Sequence, residues 1–134
     1  MRYLLDTHII IWTLENNKNL PKKVVDIIKD EENDIYYSTA SIWETTIKKM
    51  ARPKYINMTG SKMSELCLAS GFETLPIYDR HIKCLETLKD NKKAPNHKDP
   101  FDRMLLSQAK SDGMILVTHD AVLGGYDEDC ILKV

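Results

Sequence analysis

The chain has 134 residues, of which 43% are hydrophobic and 29% charged, and its formal net charge is −1. That length suits one domain over residues 1–134 whose core needs no disulfide or metal staple, and the composition excludes a disordered chain. Near-neutral charge excludes a broad basic field for nucleic acid, so any hold on phosphate has to be local.

Arg2 to Leu5 is short and apolar enough for a first strand buried on both faces. Asp6-Thr7 turns the chain. His8 to Leu14 then predicts a helix that Thr7 caps and Glu15-Asn16-Asn17 ends, although its β-branched run would also suit a strand. Leu20-Pro21 opens a second helix with Val24, Val25, Ile27 and Ile28 as its apolar stripe, and Ile35 to Ser38 follows as a second strand. Thr39 to Met50 is helical, with Ile42, Trp43, Thr46, Ile47 and Met50 at three- and four-residue spacing and Ser41-x-x-Glu44 satisfying the capping-box pattern. Trp43, like Trp12, reads as a core or dimer contact rather than a stacking platform for bases.

Arg52-Pro53 breaks that helix. Ser61 to Ser70 is a helix stopped by Gly71, Phe72 to Ile77 a short third strand broken by Pro76, and Tyr78 to Leu88 a helix with His81, Ile82, Leu85 and Leu88 on one side. Lys89 to Lys98 is a polar loop. Asp99-Pro100-x-Asp102 starts the next helix, Asp112-Gly113 ends it, and Met114 to Val117 is a fourth buried strand. Ala121 to Leu123 makes at most one helical turn before Gly124-Gly125, and Cys130 to Leu132 is a weak last strand. Helices alternating with short apolar strands predict an α/β fold around a parallel sheet.

Cys67, Cys84 and Cys130 form no C-x-x-C pair and fit small buried thiols in a reducing cytosol. Asp6 and His8 interrupt any export signal at the amino end, and no apolar run approaches the roughly 20 residues that span a bilayer. A cytoplasmic protein with no membrane partner is expected.

Four acids share one local setting. Asp6, Glu44, Asp102 and Asp120 each follow or trail a hydrophobic segment and stand at the start of a helical one, which in a parallel sheet is the carboxyl edge where ligands bind. Singly, most have a structural explanation: Asp99 caps a helix whose dipole favours Asp102, Glu44 closes a box with Ser41, and Asp120 caps a turn. Asp6 does not, because a carboxylate closing a buried strand needs a partner. Together they would raise one another's pKa and strain the fold unless a cation resides there. Oxygen donors without cysteines or paired histidines point to magnesium, with manganese able to substitute, rather than zinc.

Leu5-Asp6-Thr7-His8, Ser41-Ile42-Trp43-Glu44, Asp99-Pro100-Phe101-Asp102-Arg103 and Val117-Thr118-His119-Asp120, in that order along essentially the whole chain, resemble the PIN-domain ribonucleases, specifically the VapC-like toxins of bacterial toxin–antitoxin pairs. The resemblance puts the family's acidic quartet on Asp6, Glu44, Asp102 and Asp120, with Asp99 as a secondary site acid. It implies a PIN-like, Rossmann-like three-layer fold with a central parallel sheet of four to five strands, a magnesium-dependent endoribonuclease activity, homodimerisation, and a small antitoxin that blocks the groove.

The residue types suit such chemistry. A carboxylate-held cation could acidify a water and offset charge building on the phosphate during in-line displacement, leaving a 5′-phosphate and a 3′-hydroxyl. Asp6 and Asp102 are assigned as direct ligands, and Glu44 and Asp120 as holding water or a second ion. Lys48, one turn past Glu44, and Arg103, beside Asp102, are the candidates for contacting phosphate; Lys92, Lys93 and Lys98 make the loop before Asp99 an RNA-facing arm. His81 on an apolar helical face reads as packing. His119 is the histidine worth testing, though it is assigned no role. Two rival readings stand beside the ribonuclease: an inactive PIN-like module that binds RNA or protein, and a related metal-dependent DNA nuclease or phosphatase.

Overall fold

The computed structural model describes all 134 residues, and the alternation expected above closes into five parallel strands. In chain order the strands are β1 (Arg2–Leu5), β2 (Asp34–Ser38), β3 (Glu73–Leu75), β4 (Ile115–Thr118) and β5 (Ile131–Lys133). The helices are α1 (Thr7–Leu14), α2 (Lys22–Lys29), α3 (Thr39–Ala51), α4 (Gly60–Ala69), α5 (Asp79–Cys84) and α6 (Pro100–Asp112), with 3₁₀ turns at Leu85–Thr87 and Leu123–Gly125. No helix is long and apolar enough to cross a membrane.

The strands lie in the order β3-β2-β1-β4-β5, so winding reverses between β1 and β4. Tyr3 pairs with Ile115 and Leu5 with Val117 across that boundary. Successive side chains on a strand point to opposite faces. Leu5 and Val117 accordingly enter a core with Ile9, Ile10, Val24, Met63 and Cys67, whereas Leu4 and Leu116 enter a second core with Leu105, Leu106, Ala109 and Leu123. Two apolar layers sandwich one sheet, the three-layer α/β arrangement. Each of these side chains is fully withdrawn from water, worth about 1.5–3 kcal/mol apiece for the valine, leucine, isoleucine and methionine side chains.

Two of the expected helix caps move, and α4 and α5 each start one residue from the expected position. Asp6, not Thr7, occupies the cap position of α1, and its side chain makes no capping bond. Ser38, not Ser41, caps α3, accepting from the Ala40 N–H at 2.9 Å, so Ser41 and Glu44 form no capping box. Strand β3 stops at Leu75, before Pro76, which has no N–H for a ladder.

The expected α3 stripe divides: Ile42 packs against the core, but its other large apolar side chains face away from it. Trp43, Ile47 and Met50 are exposed, while Ala40, Ser41, Glu44 and Thr45 are buried. Small and polar side chains win the inward face because partners satisfy them there: Thr7 meets Ser41 and Glu44, and Thr45 Oγ1 lies 3.5 Å from Met63 Sδ. They also let α4 press close, with Gly60 packed against Thr46 and the Ile42 carbonyl. On α5, His81 is fully buried as expected but Ile82 is half-exposed. His81 Nε2 stands 3.0 Å from Asp112 Oδ2, and Arg80 binds both oxygens of Asp112 at 2.9 Å, so Asp112 is held well below the usual carboxylate range, chiefly by Arg80.

Candidate active site

A strand end at a winding reversal leaves a crevice that no crossover helix covers. Asp6 emerges there from β1, its N–H donating to the Val117 carbonyl at 3.0 Å. Its side chain is 4% exposed and accepts from Thr118 Oγ1 at 2.7 Å. The same hydroxyl accepts the Asp120 N–H at 3.0 Å. One threonine at the tip of β4 thus fastens Asp6 and the Asp120 backbone together. Burial pushes the Asp6 carboxyl up, the bond from Thr118 and the charge of His8 pull it back, and Glu44 adds to the rise.

Glu44 comes from the first turns of α3 and is 5% exposed. Thr7 Oγ1 donates to its Oε1 at 2.7 Å and lies 2.9 Å from Ser41 Oγ; Lys48 Nζ donates to its Oε2 at 2.5 Å. Burial would lower the Lys48 pKa, but the hydrogen bond and charge of Glu44, then the charges of Asp99 and Asp102, outweigh it and raise it. Lys48 therefore stands inside the acidic group, where the sequence placed it.

Asp99 caps α6, its Oδ1 accepting the N–H groups of Phe101 and Asp102 at 2.9 and 3.0 Å. Asp120 caps the turn after β4 in the same way, its Oδ1 accepting from Val122 and Leu123. Each capping acid keeps a second oxygen clear of the cap. Asp102 receives no such bond. It is pushed up to about 8, first by burial and then by the charges of Asp99, Asp6, Glu44 and Asp120. The charges of the other four acids thus all bear on Asp102.

No three His, Cys, Asp or Glu side chains are closed into a ready cage. A magnesium ion does not require one, since it keeps several waters and takes one or two carboxylates directly. The donor set is all oxygen, Lys48 is the one cation set among the acids, and both observations fit a hard divalent cation.

Arg103 extends the other way. Its Nη1 donates to the Tyr126 hydroxyl at 3.2 Å, and no ion pair joins it to the acids. Lys92 lies 3.7 Å from Asp127. His119 is a surface residue whose Nδ1 lies 2.7 Å from the Val134 carbonyl and whose ring rests on Trp12. The histidine that does reach an acid is His97, with Nε2 3.2 Å from Asp102 Oδ2. Its one sequence signal was its place two residues before Asp99 at the end of the polar loop. Clefts of about 530 Å³, past Thr7, Trp12, Lys48 and Arg52, and about 470 Å³, past Trp43, His97, Phe101 and Arg103, flank the acids.

The sequence matches the PIN domain family over residues 3–128. The chain belongs to the PIN-domain family. Solved structures similar to it include VapBC2 from Rickettsia felis bound to a DNA fragment from their promoter, at TM-score 0.70 and 14% identity over 99% of this chain and 98% of that one. The DNA-bound VapBC of Salmonella typhimurium gives TM-score 0.68 and 16% identity over the same shares, 99% and 98%. VapBC-1 of nontypeable Haemophilus influenzae gives 0.60 and 19% over 90% and 87%. At these identities the likeness is one of fold, and it covers the PIN sheet and its helices end to end. By sequence, no match to a curated protein was found.

Proposed function

We propose that this PIN protein is a divalent-cation-dependent endoribonuclease, the toxin of a type II toxin–antitoxin pair acting in the cytoplasm. The observation that carries the reading is Asp102, pushed up to about 8 by burial and then by four neighbouring acids, at the β1/β4 reversal of a PIN fold. Asp6 and Asp102 would hold magnesium, or manganese in its place, with Glu44, Asp120 and, secondarily, Asp99 completing the acidic surround. Bound there, the cation supplies Lewis acidity toward the scissile phosphate and lowers the pKa of water.

The chain's own side chains do the rest. Thr118 and Thr7 hold the Asp6 and Glu44 carboxylates in place from behind. Lys48 offers the positive charge nearest the acids for a phosphate oxygen, and Arg103 offers a second at the mouth of the 470 Å³ cleft. The two clefts give a single strand a path past the acids on either side.

The VapBC names of the structural neighbours support a cognate small antitoxin as partner, and the exposed Trp43, Ile47 and Met50 leave room for a homodimer. The deciding assay incubates labelled RNA with the purified chain under magnesium, manganese or chelator, beside Asp6→Asn and Asp102→Asn and with single-stranded DNA as a parallel substrate. RNA cutting that needs the cation and disappears in both variants supports the proposal. Cutting that survives either variant refutes the site, and RNA binding without cutting under every cation leaves a binding module instead.

A further inference from the structure

Most of the acids take their bearings from the strand ends and helix starts that carry them. Asp6 has Thr118, Glu44 has Thr7, and Asp99 and Asp120 have backbone amides. Asp102 is different: the side chain that meets its carboxylate comes from the loop between α5 and α6. His97 Nε2 stands 3.2 Å from Asp102 Oδ2, and the imidazole is itself largely buried, 15% exposed.

The other face of the ring fixes its proton. Nδ1 lies 3.0 Å from the Tyr126 hydroxyl, whose oxygen accepts from Arg103 Nη1 at 3.2 Å. A phenol oxygen occupied by a guanidinium donor has its own proton to give. The nearer acceptor is Nδ1, ahead of the His97 carbonyl at 3.3 Å. With Nδ1 accepting, the imidazole proton sits on Nε2, aimed at the carboxylate. Arg103 and Asp102 are consecutive residues, yet their side chains are joined the long way round through Tyr126 and His97. Asn91, 3% exposed, pins the loop by donating to the Val122 carbonyl and accepting the N–H groups of Lys93 and Ala94.

We propose that His97, oriented by Tyr126 and Arg103, is the positioning residue of Asp102: its Nε2–H fixes the rotamer of the carboxylate and leaves the second oxygen to the cation. This rests on the nuclease reading of the same site. A donor behind a ligating carboxylate removes rotamer freedom that would otherwise be lost on binding, and removing such a partner weakens metal affinity by roughly 10–100-fold.

The test measures manganese binding by calorimetry, and the Asp102 rotamer from three-bond couplings in the metal-free chain, for the wild type, His97→Ala, His97→Gln and Tyr126→Phe. His97→Ala is expected to weaken binding about tenfold and to average the Asp102 rotamer. In His97→Gln the amide nitrogen reaches where Nε2 stands, and both readouts recover most of the way. Tyr126→Phe falls between, because the ring loses its Nδ1 partner. Unchanged affinity and a single Asp102 rotamer in His97→Ala overturn the proposal; should that variant not fold, the same result in Tyr126→Phe does so. A wild type that binds no manganese overturns the metal reading, and the metal-free rotamer measurement still decides for or against His97.

Discussion

Asp102 makes the metal-free protein less stable as pH rises, and replacing it with asparagine removes that loss. In the folded chain its carboxyl keeps a proton up to about pH 8, whereas the same group unfolded releases it near the ordinary aspartate value of 3.8. Between those values the folded state binds more protons than the unfolded one, so the stability Asp102 contributes is complete below about pH 4 and is lost progressively toward pH 8. At about 1.36 kcal/mol per pH unit, a fully shielded group would lose roughly 2.7 kcal/mol between pH 6 and pH 9. The side chain is 18% exposed, and water screens part of the repulsion, so about 1.5 kcal/mol is the expected loss. Asp112 is ionised throughout this window and adds no slope; Asp6, also raised by burial, acts in the same sense as Asp102 and remains in the variant. Urea unfolding of wild type and Asp102→Asn at pH 6 and pH 9, both in chelator, isolates the difference. A stability gap between the two proteins that is the same at both pH values refutes the crowding of acids around Asp102.

Magnesium should stabilise the wild type more at pH 9 than at pH 6, because cation and proton compete for one carboxylate; thermal melts with and without the ion check this, and an equal shift at both pH values counts against it. Thr118→Val strips the donor from buried Asp6 and is expected to cost about 2 kcal/mol in urea unfolding at pH 8, a loss under about 0.5 kcal/mol showing that Asp6 finds another partner. Lys48→Met leaves Glu44 with Thr7 alone and should lower metal-free stability by about 1 kcal/mol, discounted for the half-exposed ammonium, while saturating magnesium narrows the deficit. Gly60→Ala drives a methyl into Thr46 and to 2.8 Å from the Ile42 carbonyl, for a loss of about 1–3 kcal/mol with the cation response unchanged.

The sheet was legible because its strands are short apolar runs whose alternate residues feed two cores, and a run such as Met114 to Val117 has few other ways to bury itself. The acids were legible because Asp6 ends such a run without a local excuse. On α3 the periodicity misled: Trp43, Ile47 and Met50 keep helical spacing, but spacing identifies a face without saying which way it turns. What turned α3 was Thr7, 34 residues before Ser41, offering a hydroxyl to Ser41 and Glu44. Thr118 holds Asp6 from a strand 112 residues away in sequence, a pairing that only the parallel register of β1 and β4 creates. His97 was not foreseen, because its meaning depends on Tyr126, 29 residues later, and on a loop fold set by Asn91.

Lys48 sits among carboxylates that a divalent ion would claim, and it is tethered to Glu44 by a bond at 2.5 Å on a flexible stem. Under the proposed function, a doubly charged ion beside Glu44 would weaken the hold of a singly charged one, and the ammonium would be freed as the ion bound. Once freed, it would offer a positive charge to an arriving phosphate. In the resting protein Lys48 is the placeholder for that charge, and on this reading filling the acids and readying the site for a phosphate would be a single exchange of counterions.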